Sequence, residues 1–66
     1  MSLRGKQADL DRLLSSLRAA VIQAEGVREW APAWVDQQDL DHLRWLRDEY
    51  ENHRLNLQAR IEANHG

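Results

Sequence analysis

This chain predicts an all-α fold: a two-helix antiparallel hairpin that dimerises into a four-helix bundle. Three observations carry that reading. Apolar residues recur at three- and four-residue steps over two long stretches, 3–27 and 40–61. The only proline, Pro32, falls between them, in the stretch "REWAPAWVD". The chain has 66 residues and no cysteine, a size at which a solitary core is marginal and an oligomeric partner is the remaining support.

In the first stretch Leu3, Leu10, Leu17 and Ala24 share one position of a seven-residue rhythm. Leu13, Ala20 and Val27 hold the position three further on, and Leu14 and Val21 widen the stripe. Gly5 weakens the first turn, which is expected to fray. Gly26 stands where a left-handed cap would end a helix. The reading is a first helix over about 7–25.

A corner over 26–35 follows. Pro32 stops the first helix and turns Ala31 away from helical geometry. Trp30 and Trp34, each able to cover about 200 Å², are expected to close the open end of the hairpin. The functional alternative leaves at least one of them exposed as a binding anchor. A short helical turn across Pro32 would put both rings on one side.

Asp36 is the expected N-cap of a second helix over about 37–63, with Asp39 in its first turn. Val35 and Leu40 take the positions of a hydrophobic staple. The stripe continues as Leu40, Leu43, Leu46, Tyr50, His53, Leu57 and Ile61. Such a helix is roughly 40 Å long and outruns the first, leaving part of it uncovered within one chain. The expected dimer interface is therefore Leu43, Leu46, Tyr50, His53, Leu57 and Ile61, with Leu10 and Leu17 from the first helix. In layout, though in no motif, the chain resembles the small hairpin regulators of copy number found on plasmids.

Composition narrows the function. No apolar run reaches the ~18 residues of a membrane span, and the opening "MSLRGKQADLD" has no apolar signal core. The formal net charge of −2 is far from that of a typical nucleic-acid binder. Absence of cysteine fits a reducing compartment, so a cytoplasmic protein is expected. No cofactor or metal is expected either. Glu49 and His53, one turn apart, supply too few ligands for a closed zinc site. His53 reads as a filler on the core stripe, His42 as a flank residue and His65 as part of a fraying tail. Ser15 and Ser16 lie mid-helix without a neighbouring histidine, and no glycine loop cradles phosphate, so no enzyme is expected.

The remaining signals are apolar residues off the stripe. Trp45 lies about 100° around the helix from Leu46, on the side of Leu55 and Ala59, and Ile22 stands apart on the first helix. Such a second face suits a dimer contact or a foreign protein. The first half of the second helix sets six acids against Arg44 and Arg47, a net −4, whereas residues 1–26 carry a net +1. Arg44–Asp48 and Arg47–Glu51 are the pairs expected on a solvated face. An acidic surface bearing tryptophan would also steer a basic partner.

The resulting expectation is a non-enzymatic homodimer that binds another protein as an inhibitor, adaptor or regulator. Trp30, Trp34 and Trp45 are its contact residues, and Asp41, Asp48 and Glu49 its rim charges. Analogy with other very small stand-alone chains suggests a plasmid- or phage-encoded protein acting on a host transcription regulator or motor. One alternative is a nucleic-acid-binding regulator using Arg44, Arg47 and Arg54. Another is a structural assembly subunit.

Overall fold

Ser2 starts the first helix earlier than Gly5 suggests. The computed structural model describes residues 2–65, with side chains through residue 64. Ser2 has extended geometry (φ −77°, ψ 156°), and its Oγ accepts a hydrogen bond from the Gly5 amide at 3.1 Å. The Lys6 amide donates to the Ser2 carbonyl at 3.2 Å. With these donors satisfied, helix α1 spans Leu3–Trp30 and its first turn is formed.

The far end of α1 also corrects the sequence reading. Gly26 is not a left-handed cap: no described glycine has positive φ, and the helix runs through it. Pro32 sets the stop instead. Ala31, immediately before it, bends to φ −143° and ψ 69°, while its amide donates to the Val27 carbonyl at 2.7 Å. Pro32–Trp34 then forms one turn of 3-10 helix, with the Trp34 amide donating to Ala31 at 3.0 Å. The corner is therefore 31–36 rather than 26–35.

Helix α2 spans Gln37–His65 and starts as its sequence indicates. Asp36 Oδ1 accepts from the Gln38 amide at 2.7 Å, and the Asp36 carbonyl from the Leu40 amide at 3.1 Å. The helix continues through the stretch expected to fray; the side chain of His65 lies outside the described residues. At 28 and 29 residues the two helices match in length, so the expected overhang of α2 is absent. Among the described residues there is no strand.

The helices pack antiparallel along one seam. On α1 it is Leu3, Gln7, Leu10, Leu14, Leu17, Val21, Ala24 and Arg28, alternating steps of four and three. On α2 it is Leu40, Leu43, Arg47, Tyr50, Arg54, Leu57 and Ile61, with the same alternation. Every one of these residues is buried or half-buried, and Leu14, Val21, Leu40 and Leu57 are the buried core. Leu14 and Val21 thus sit at the centre of the contact, not at its margin. Leu13, Ala20 and Val27 are displaced to one flank, as are Leu46 and His53, and His53 is exposed rather than a core filler. Leu57 belongs to the intrachain core, so it is withdrawn from the expected dimer interface.

The outcome is a rod of 50 × 15 × 15 Å. Its radius of gyration of 15.1 Å exceeds the ~11 Å of a compact globule of this length.

Two substitutions test this arrangement by urea unfolding. An added Cβ at Gly26 meets nothing within 4 Å, so Gly26→Ala should stabilise by about 0.5–1 kcal/mol. A left-handed glycine would give the opposite sign. Leu14→Ala should destabilise by about 2–5 kcal/mol, far more than Leu13→Ala on the flank.

Candidate interaction surfaces

Arg28 holds the corner together. From the last turns of α1 its Nη1 donates to the carbonyls of Pro32 at 3.0 Å and Val35 at 2.6 Å. Its Nε donates to Gln37 Oε1 at 2.7 Å, which ties α1 to the first turn of α2. A guanidinium suits this task because its fixed fork can reach several acceptors at once. It also places positive charge at the carbonyl end of α1.

On this frame the rings of Trp30 and Trp34 meet edge to face, with centroids 5.5 Å apart and planes at 61°. The 3-10 turn across Pro32 brings them together. They do not close the end of the hairpin: Trp30 is 68% exposed and Trp34 76%. The sequence reading of these rings as a plug is corrected, because the corner is tight enough for Arg28 and backbone hydrogen bonds to seal it.

Trp45 occupies a different place. It lies two residues from each of the seam positions Leu43 and Arg47, on the face of α2 turned away from α1. It is 55% exposed, and its ring stacks on His42 at 5.9 Å and 17°. Asp41, Asp48 and Glu49 lie within a turn of it. Asp41 accepts from Gln37 Nε2 at 2.9 Å and from Arg44 Nη1 at 3.4 Å, and Asp48 from Arg47 Nε at 3.1 Å. Glu49 is half-buried. The six expected contact residues therefore divide between a corner patch and an outer patch on α2.

The long sides of the hairpin differ in chemistry. One is bridged by ion pairs between the helices: Arg18–Glu51 at 2.9 Å, Arg54–Asp11 at 2.6 Å and Arg44–Glu25 at 3.7 Å. Arg18, Asp11, Glu25, Glu51 and Arg44 each follow a seam residue by one position. In an antiparallel pair a step forward on either helix turns toward the same side, which is why these groups meet. A step backward turns both helices toward the opposite side. The residues there are Leu13, Ala20 and Val27 on α1 and Leu46 and His53 on α2. The His53 ring leans edge-on against Tyr50, centroids 5.7 Å apart.

The three arginines of the nucleic-acid alternative all have carboxylate partners. Arg44 meets Glu25 and Asp41, Arg47 meets Asp48, and Arg54 meets Asp11. Two expected surface pairs, Arg44–Asp48 and Arg47–Glu51, give way to these: Arg44 turns to Glu25 and Asp41, Arg47 takes Asp48, and Glu51 is held by Arg18 from the other helix. Gln7 Nε2 donates to Gln58 Oε1 across the open end, a contact that one-helix reasoning does not reach. Among the described residues no three metal-ligating side chains gather, and no helix is long and apolar enough to cross a membrane. Compared with family models, curated proteins and solved structures, the chain matches none.

Removing the Arg28 hydrogen bonds should loosen the tryptophan pair. Arg28→Gln is expected to cost about 1–2 kcal/mol and to weaken the near-ultraviolet circular dichroism of the paired indoles, with helix content retained. An unchanged near-ultraviolet signal would mean that the rings are held by something else.

Proposed function

We propose that the chain is a non-enzymatic regulator or adaptor that dimerises through its helices and binds a different protein at the tryptophan corner. The observation that carries this reading is the Trp30–Trp34 pair, two large apolar rings left mostly exposed on a corner braced by Arg28. Burying such rings in a partner removes on the order of 200 Å² of apolar surface from water for each. Bracing reduces the ordering entropy that binding would otherwise incur. Tryptophan is also the residue type most enriched among binding hot spots.

Charge supports a basic partner. Residues 17–51, the corner half of the hairpin, hold eight carboxylates against four arginines, a net −4. The remainder holds three carboxylates against five cations, a net +2. An acidic end of this kind speeds the encounter with a basic surface more than it tightens the final complex. Trp45 with His42 offers a smaller secondary contact on α2. The nucleic-acid alternative receives no such support, since Arg44, Arg47 and Arg54 are engaged by carboxylates.

Affinity capture from the source organism's lysate, with wild type, Trp30→Ala/Trp34→Ala and Trp45→Ala side by side, tests the assignment. A single protein, basic at its contact surface, should be retained by wild type and weakened on the order of 30-fold or more by the corner double variant. Trp45→Ala should have the smaller effect. Equal capture by all three chains would refute the corner as the binding site.

A further inference from the structure

We infer that the side of the hairpin opposite its ion pairs receives a second copy of the same chain. The two copies pair head to tail, with the corner of each over the open end of the other. This inference rests on the dimer reading above and adds the face and the orientation to it.

The face comes from the two heptad rows that the intrachain seam leaves over. One is Lys6, Leu13, Ala20 and Val27 on α1; the other is Asp39, Leu46, His53 and Arg60 on α2. Each row lies one position before the seam, so both open on the same side, away from Arg18–Glu51 and Arg44–Glu25. The middle of this side is mostly apolar, and the half-buried Leu10, Leu17, Leu43 and Tyr50 flank it.

The area argues for an occupant of about this chain's own size. The surface of 5020 Å² exceeds by about 700 Å² the ~4,300 Å² of a compact monomer of 7.7 kDa. A standard stable interface buries ~800 Å² on each partner. Covering one long side of the rod removes an area of that order.

Charge sets the orientation. Lys6 and Arg60 both stand at the open end of the leftover rows, and Asp39 stands at the corner end. All three are exposed, and none makes an ion pair among the described residues. Pairing corner to corner would set Lys6 and Arg60 against the same two cations and one net −4 half against the other. Head-to-tail pairing instead brings Asp39 toward the Lys6 and Arg60 of the second copy and lays each acidic half on a basic one.

The absence of native cysteine makes the test clean. Sedimentation gives the mass, and nitroxide labels on Ala63→Cys, an exposed and uncharged position at the open end, give the distance between copies. Ala63 lies roughly 18 Å along the rod from the middle of α2 at Glu51, so head-to-tail copies put the labels on the order of 35 Å apart. Corner-to-corner copies put them within about 20 Å. Leu13→Glu should weaken the dimer on the order of 100-fold, and Ala20→Glu, on the same row, should repeat the effect with helix content retained. Ile22→Glu, on the ion-pair side, should leave the dimer intact. A dimer with a short label distance, or one that survives Leu13→Glu and Ala20→Glu, overturns the present inference alone. A monomer at every concentration overturns the dimer reading with it.

Discussion

Two helices can bury only the line along which they touch, and each helix of this chain carries an apolar stripe wider than that line. Which edge of the stripe turns inward decides everything else. Leu14 and Val21 face α2, and Leu40 and Leu57 face α1. Rotating each helix that way brings Arg47 and Arg54 onto the seam, where a coiled coil would ordinarily place leucine. It also leaves Leu13, Ala20, Val27 and Leu46 on an uncovered side. Had the other edge turned inward, the arginines would stand in water and His53 would be central.

The seam tolerates arginine because a long side chain can cover apolar surface with its methylenes while its head reaches outward. Arg54 is 32% exposed and meets Asp11; Arg47 is 30% exposed and meets Asp48. These partly exposed pairs contribute at most about 1 kcal/mol each. Their larger effect is on selection: with cations fixed on one side, that side is closed by ion pairs and the apolar remainder is confined to the other. The hairpin thus presents two chemically distinct long sides.

The architecture was legible in the sequence because periodicity and punctuation are local properties. The seven-residue rhythm announces two helices, Pro32 marks the corner and Asp36 the start of α2. Helix ends were harder, since Ser2 and Gly26 each admit two uses. Serine at position 2 could cap or lie idle, and glycine at 26 could end a helix or merely weaken it. Tertiary contact along the seam carries α1 through Gly26 at a cost of about 1 kcal/mol. The rotation of the helices was not legible from either helix alone. It is set by which edges of the two stripes bury each other, Leu14 and Val21 with Leu40 and Leu57. The ion pairs of Asp11, Glu25 and Glu51 with Arg54, Arg44 and Arg18, partners separated by 43, 19 and 33 positions in the chain, follow from it. The tryptophans escaped for a related reason. Their size suggests a core, yet the corner is held by Arg28 and by backbone hydrogen bonds, and both rings stay mostly exposed.

That brace links the corner to the rest of the molecule. Arg28 is at once the last seam residue of α1 and the hydrogen-bond donor to Pro32, Val35 and Gln37. Its position along the seam is set by the packing of Leu14 and Val21 further down the same helix. The direction in which Trp30 and Trp34 project therefore follows from the interhelical contact rather than from the loop alone. Head-to-tail pairing of two such rods would leave a tryptophan corner at each end, about 50 Å apart, the length of one hairpin. A partner presenting two copies of its own site could then engage both corners at once. The gain over a single contact depends on whether its spacing matches that separation.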